Sequence, residues 1–147
     1  LRRSVSGGRV LLCGAPVTFR SSTQKTVALS VTEAELYAAV LCVQDMIYAR
    51  NVLLSIRLKV KLTMILECDN QGAVDLVNSW SIGGRTRHID VRQWFLREMK
   101  EAGVLHMKWI SGKENDIDMF TKKLDGPLFE KFVSVYVGQD EYTQDSE

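Results

Sequence analysis

No acidic residue occurs in the first 32 positions of the chain, and no CxxC pair occurs anywhere in it. The three cysteines, Cys13, Cys42 and Cys68, are odd in number, far apart and each set among apolar neighbours. They read as buried free thiols in a reducing compartment, which speaks against both a disulfide scaffold and a cysteine-based zinc site. No apolar run approaches the roughly 18 residues needed to span a bilayer, and the start shows no signal-peptide pattern. An intracellular location without a membrane partner is therefore expected. There is no G-x-S-x-G, and neither His88 nor His106 has an obvious partner, so a serine or cysteine hydrolase has little support. Gly7-Gly8 and Gly83-Gly84 lack the surroundings of a phosphate-cradling loop.

What is present fits one α/β domain. The chain has 147 residues, 46% hydrophobic and 25% charged, enough for a single core. It opens with Leu1 and reads as a piece of something longer. Net charge is only +1, but Arg2, Arg3, Arg9, Arg20 and Lys25 make the front basic. Asp140, Glu141, Asp145 and Glu147 make the last ten residues an acidic tail, expected to be disordered. A basic front end suits a polyanion, or simply a solvated surface.

Gly8 to Cys13 reads as a strand, Gly14-Ala15-Pro16 as a turn, and Val17-Thr18-Phe19 as a return strand. Ser30 and Glu33 form an S-x-x-E capping box that starts a helix. Leu36, Val40, Val43 and Ile47 follow as its buried stripe, with Glu35, Ala38, Ala39 and Cys42 as a face of small residues beside it. Leu62 to Leu66 is apolar without alternation, as in a central strand covered on both faces. Asn70 caps a short helix to about Asn78. A second helix, from about Ile89 to Ala102, turns Val91, Phe95 (or Trp94) and Met99 inward, and Gly103 closes it. Val104 to Ile110 reads as a strand. Asn115 caps a final helical region, which Gly126-Pro127 breaks before a last piece from Leu128 to Tyr136. Trp94 and Trp109 are spaced as core or half-core residues, and Trp80 sits at a loop edge where it could stack on a nucleotide.

Three groups of acids are the candidates for chemistry, and their spacing does not say that they meet. Glu35 borders the buried stripe, whereas Glu33 already has a role in the capping box. Asp69 ends an apolar strand, where ligands bind in α/β sheets. Asp116 and Asp118 share the first turn after Asn115, and spacing does not choose between them. Several carboxylates are what two divalent ions need if they are to sit close together and act on phosphate esters. Arg85-Thr86-Arg87-His88, after two glycines, suits contact with nucleic-acid phosphates.

Together these motifs resemble the ribonuclease H domain of Ty1/copia-type retrotransposons. Lys25 to Glu35 is similar to the segment leading to that family's second catalytic acid, and Cys68-Asp69-Asn70-Gln71 to its third-acid motif. Arg85 to Asp90 and Asp118-Met119-Phe120-Thr121-Lys122 resemble its later landmarks. The resemblance implies a ribonuclease H-like fold over residues 1–137, a mixed central sheet of five strands flanked by helices. It implies cleavage of the RNA strand of RNA–DNA hybrids with two Mg2+ ions, for which Mn2+ can substitute. Glu35, Asp69 and Asp118 match the catalytic, metal-holding acids, and Asn70, Gln71, Arg85, Arg87 and His88 would lie beside the hybrid. A reverse transcriptase domain is implied on the N-terminal side of the same polyprotein, in a cytoplasmic particle or the nucleus. The family's first acid lies upstream of the segment matched by Arg3 to Gly7. The chain taken alone is therefore expected to lack one strand and one ligand, to be nearly inactive, and to associate through an uncovered sheet edge. The alternative is a non-catalytic ribonuclease H-like remnant that binds nucleic acid or protein. An integrase or transposase core fits the Thr-Glu-Ala-Glu and Cys-Asp-Asn-Gln pair less well.

Overall fold

The computed structural model describes residues 4–25, 28, 30–79 and 91–137. Its α/β class is as expected. It opens with β1 (Val5–Leu12) and β2 (Ala15–Thr23), an antiparallel hairpin. The turn is tighter than the sequence suggests. Only Cys13 and Gly14 form it, with φ of 53° and 85°, the double positive φ that matches the twist of a two-residue hairpin. Cys13 is consequently exposed, contrary to its expected burial.

The long helix α1 (Val31–Ser55) starts as its capping sequence requires, with the Ser30 side chain accepting from the Glu33 backbone N–H. It buries Leu36, Ala39, Val43 and Met46. Buried Gln24 joins the hairpin to it, donating to Ser6 Oγ at 2.8 Å and to the Ala34 carbonyl at 2.9 Å.

A second sheet pairs β3 (Met64–Cys68) with β4 (Leu105–Trp109) in parallel, Met64 facing Leu105 and Cys68 facing Trp109. A parallel pair requires a crossover. It contains α2 (Gln71–Asn78) and α3 (Val91–Glu101). Asn70 caps α2 as expected, its Oδ1 accepting from Ala73 N at 2.9 Å. At the other end of α2, Gln93 and Arg97 donate to the Leu76 carbonyl and Lys100 to that of Asn78. Carbonyls that a helix end leaves open are thus satisfied from the next helix.

The chain ends in α4 (Asp118–Thr121) and α5 (Gly126–Val137). One core runs through α1, α2, α3 and both sheets, with Leu96, Val43, Leu105 and Met107 its most enclosed members.

Several expectations change. Among the described residues the strands form two two-stranded sheets instead of one mixed central sheet. Strand β3 alternates, with Leu66 and Cys68 buried and Ile65 60% exposed, so only one face is covered. On α3, Phe95 and Met99 pack against the core as expected, but the most buried residues are Gln93 and Leu96, and Val91 faces outward, as does Trp94. Trp109 is also exposed. Asn115 caps nothing: Ile117 holds the N-cap position of α4 and offers no side-chain bond. Pro127 sits in the first turn of α5, where its missing N–H is harmless, so Gly126-Pro127 begins a helix instead of breaking one. Among the described residues, no helix is long and apolar enough to cross a membrane.

Candidate metal centre

Three elements bring three carboxylates to one place. Glu35 lies in the second turn of α1, Asp69 directly follows β3, and Asp118 opens α4. The starts of α1 and α2 are in close contact, since a Cβ on Gly72 would lie 3.3 Å from Thr32 Oγ1 and 3.2 Å from Asn70 Oδ1. That approach carries Glu35 to the end of β3. Ligand atoms of Glu35, Cys68 and Asp69 lie within 4.8 Å of one another.

Asp118 joins through Lys122. The Lys122 ammonium is 2.9 Å from Asp118 Oδ1 and 3.9 Å from Asp69 Oδ2. Spacing could not choose between Asp116 and Asp118; the structure separates them. Asp116 turns to the hairpin, buried against the Arg9 guanidinium and Tyr136, while Asp118 faces the other acids. The Glu33 and Glu35 alternative resolves in the same way, with Glu35 among the acids.

Electrostatics follow from the crowding. Burial pushes the Glu35 carboxyl above its ordinary range, and the charges of Asp69 and Asp118 push the same way against Lys122. Burial works against the Lys122 charge, but the hydrogen bond and negative charge of Asp118, with Asp69 and Glu35 behind it, raise its pKa on balance. The buried Cys68 thiol is pushed up to about 11 by burial, its contact with the Asn70 carbonyl opposing the shift. Trp109 Nε1 donates to the Asp69 carbonyl at 3.1 Å and fixes the backbone at the strand end.

Of the residues expected beside nucleic acid, Asn70 spends its Oδ1 on the α2 cap. Gln71 is exposed next to it and donates to Asp75 at 2.8 Å. Arg85, Arg87 and His88 lie outside the described residues, as does Trp80. Lys122 ends the motif Asp118-Met119-Phe120-Thr121-Lys122, and nothing in that motif by itself marks it as a partner of the acids. Only its spacing from Asp118, one helical turn on, was an available signal.

The chain is similar to a stretch of three retrovirus-related Pol polyproteins from plant transposons. It is 38% identical over 129 residues to that of transposon TNT 1-94 from Nicotiana tabacum, covering 88% of this chain and 10% of the relative. Identity to those of transposons RE1 and RE2 from Arabidopsis thaliana is 28% over 131 residues and 27% over 129, covering 89% and 88% of this chain and 9% of each relative. The chain thus spans about a tenth of the length of the curated relatives it matches. No family model matches it, and no solved structure does.

Proposed function

We propose that the chain is the ribonuclease H segment of a retrotransposon Pol polyprotein, with Glu35, Asp69 and Asp118 holding Mg2+ for hydrolysis of the RNA strand of RNA–DNA hybrids. One observation carries this reading. Acids from three elements distant along the chain gather around one cation, the Lys122 ammonium. A crevice that draws in an internal ammonium has the same attraction for a divalent ion.

The donor set also fits. Three carboxylates suit hard, oxygen-seeking ions such as Mg2+ and Mn2+. When bound, such ions neutralise charge on a phosphodiester and polarise an attacking water.

The chain's own groups would do the rest. The first turn of α2, directly after Asp69, offers backbone N–H groups and a positive helix end to anionic substrate. Lys122 is exposed enough to reach a backbone phosphate beside the acids. Gln71 is placed to turn toward a sugar 2′-hydroxyl, and Arg85, Arg87 and His88 supply phosphate contacts in this reading. Similarity to Pol polyproteins supports the polyprotein setting; reverse transcriptase as the neighbouring domain and a particle-bound or nuclear location belong to this proposal.

The test is a Mn2+ titration followed by paramagnetic broadening, paired with cleavage of a labelled hybrid against a DNA duplex. Glu35→Gln, Asp69→Asn and Asp118→Asn should each weaken Mn2+ binding by about tenfold or more. Hydrolysis is expected to be faint in the chain taken alone; hybrid binding that needs no divalent ion and survives all three changes would favour the non-catalytic module. Mn2+ binding indifferent to all three changes would remove the nuclease reading.

A further inference from the structure

We propose that Arg9, on β1, positions Asp118 by holding Asp116, so that the hairpin determines where α4 presents its acid. This rests on the reading of Asp118 as a cation ligand and deepens it.

The argument starts from the length of α4. Asp118–Thr121 is a single turn without a side-chain cap. A helix that short has no stability of its own. Its placement must come from outside, whereas Glu35 and Asp69 sit on a long helix and a paired strand.

Apart from the Lys122 bridge to Asp69, the described attachments of α4 lead to the hairpin and to α5. Asp116, 4% exposed and two residues before Asp118, pairs with the Arg9 guanidinium, which also lies over the Tyr136 ring. Ser21 Oγ donates to the Phe120 carbonyl at 2.8 Å. Phe120 stacks on Phe19, ring centres 5.6 Å apart, and meets Tyr136 edge-on at 5.1 Å. At Gly7 the strand lies so close that a Cβ would stand 2.5 Å from Cγ2 of both Ile117 and Thr121.

These contacts differ in how sharply they fix position. Stacked rings and methyl contacts tolerate sliding, because dispersion is non-directional and each contact is weak. A buried carboxylate tolerates much less. Leaving either partner of a buried ion pair alone is strongly destabilising, so Asp116 must stay where Arg9 can reach it. Arg9 acts through Asp116 and is a positioning residue.

The test uses the whole chain and two variants, Arg9→Met and the near-isosteric Asp116→Asn. In the ion-free protein, amide hydrogen exchange is read at Met119, Phe120 and Lys122, whose N–H groups bond back to Asp116, Ile117 and Asp118. Exchange there should speed by about tenfold in both variants, with β1–β2 amides still protected. Mn2+ affinity should fall about fivefold in each, and by no more in the double variant, because both changes break one interaction. Unchanged exchange in α4 overturns the proposal. So does loss of protection spreading through the hairpin, which would make the pair a support of the whole fold. Additive losses of Mn2+ affinity overturn it too. If the parent chain binds no Mn2+, the reading of the acids fails, and the exchange measurement, which needs no metal, still decides the role of Arg9.

Discussion

Glu35 is held at a disadvantage in the ion-free protein. Burial and two neighbouring carboxylates raise its pKa above the ordinary 4.5, so the folded state binds its proton more tightly than the unfolded chain does. The sign follows from linkage: this contribution to stability is full below the unfolded value and is lost as pH rises through the elevated folded value. Glu35→Gln should therefore raise Tm by a few degrees at neutral pH without metal, and flatten the decline of stability above pH 4.5. Denaturant melts across a pH series check this, and an unchanged slope would sink it. The cysteines divide similarly. Cys42 and Cys68 have thiols pushed up to about 11 by burial, while Cys13 is exposed in the hairpin turn. Mild alkylation at neutral pH should label Cys13 and spare the other two, as mass spectrometry of the digested protein would show. At this scale, Asp69 was legible because it ends an apolar strand. Asp118 was singled out from Asp116 by the resemblance alone and not by spacing, because two acids so close in sequence diverge only once Arg9 is in place.

Two helix ends show the same closing geometry with different residues. At the end of α3, Gly103 has φ 69°, its N–H bonds Lys100 O, and Val104 N bonds Met99 O. At the end of α1, Arg57 has φ 63°, with matching bonds to Leu54 O and from Leu58 N to Leu53 O. Both are Schellman closures, and only glycine enters that conformation without strain. Arg57 is exposed, so Arg57→Gly should stabilise the protein by roughly 0.5–1 kcal/mol, the relieved strand of strain outweighing the added freedom of the unfolded chain. Urea unfolding measures it, and a loss of stability would contradict the strain argument. Gly103 announced its closure in the sequence; Arg57 did not, since nothing local marks an arginine for positive φ. Caps at Ser30 and Asn70 were readable because their donors lie within the same turn. On α3, Phe95 and Met99 pack against the core as their spacing indicates; the outward Val91 and the single covered face of β3 were not legible, because apolar composition alone does not say which side meets α1.

For the molecule as a whole, an ion that binds only the folded state must stabilise it. At Mn2+ a hundredfold above its dissociation constant the gain is about 2.7 kcal/mol, a rise of roughly 5–10 °C in Tm for a chain of this size. Calorimetry should show that rise in the parent and its loss in Asp69→Asn; equal rises in both would place the ion elsewhere. The α/β class and the order of the elements were legible throughout. The division into two sheets was not, because strand pairing is decided by contacts between distant segments. The distribution of the acids has one more consequence. A nascent polypeptide displays Glu35 and Asp69 well before Asp118 leaves the ribosome, and Asp118 cannot settle until its short helix docks on the hairpin made at the outset. The cluster of acids is thus a late product of biosynthesis, complete only when the last of its three elements has docked.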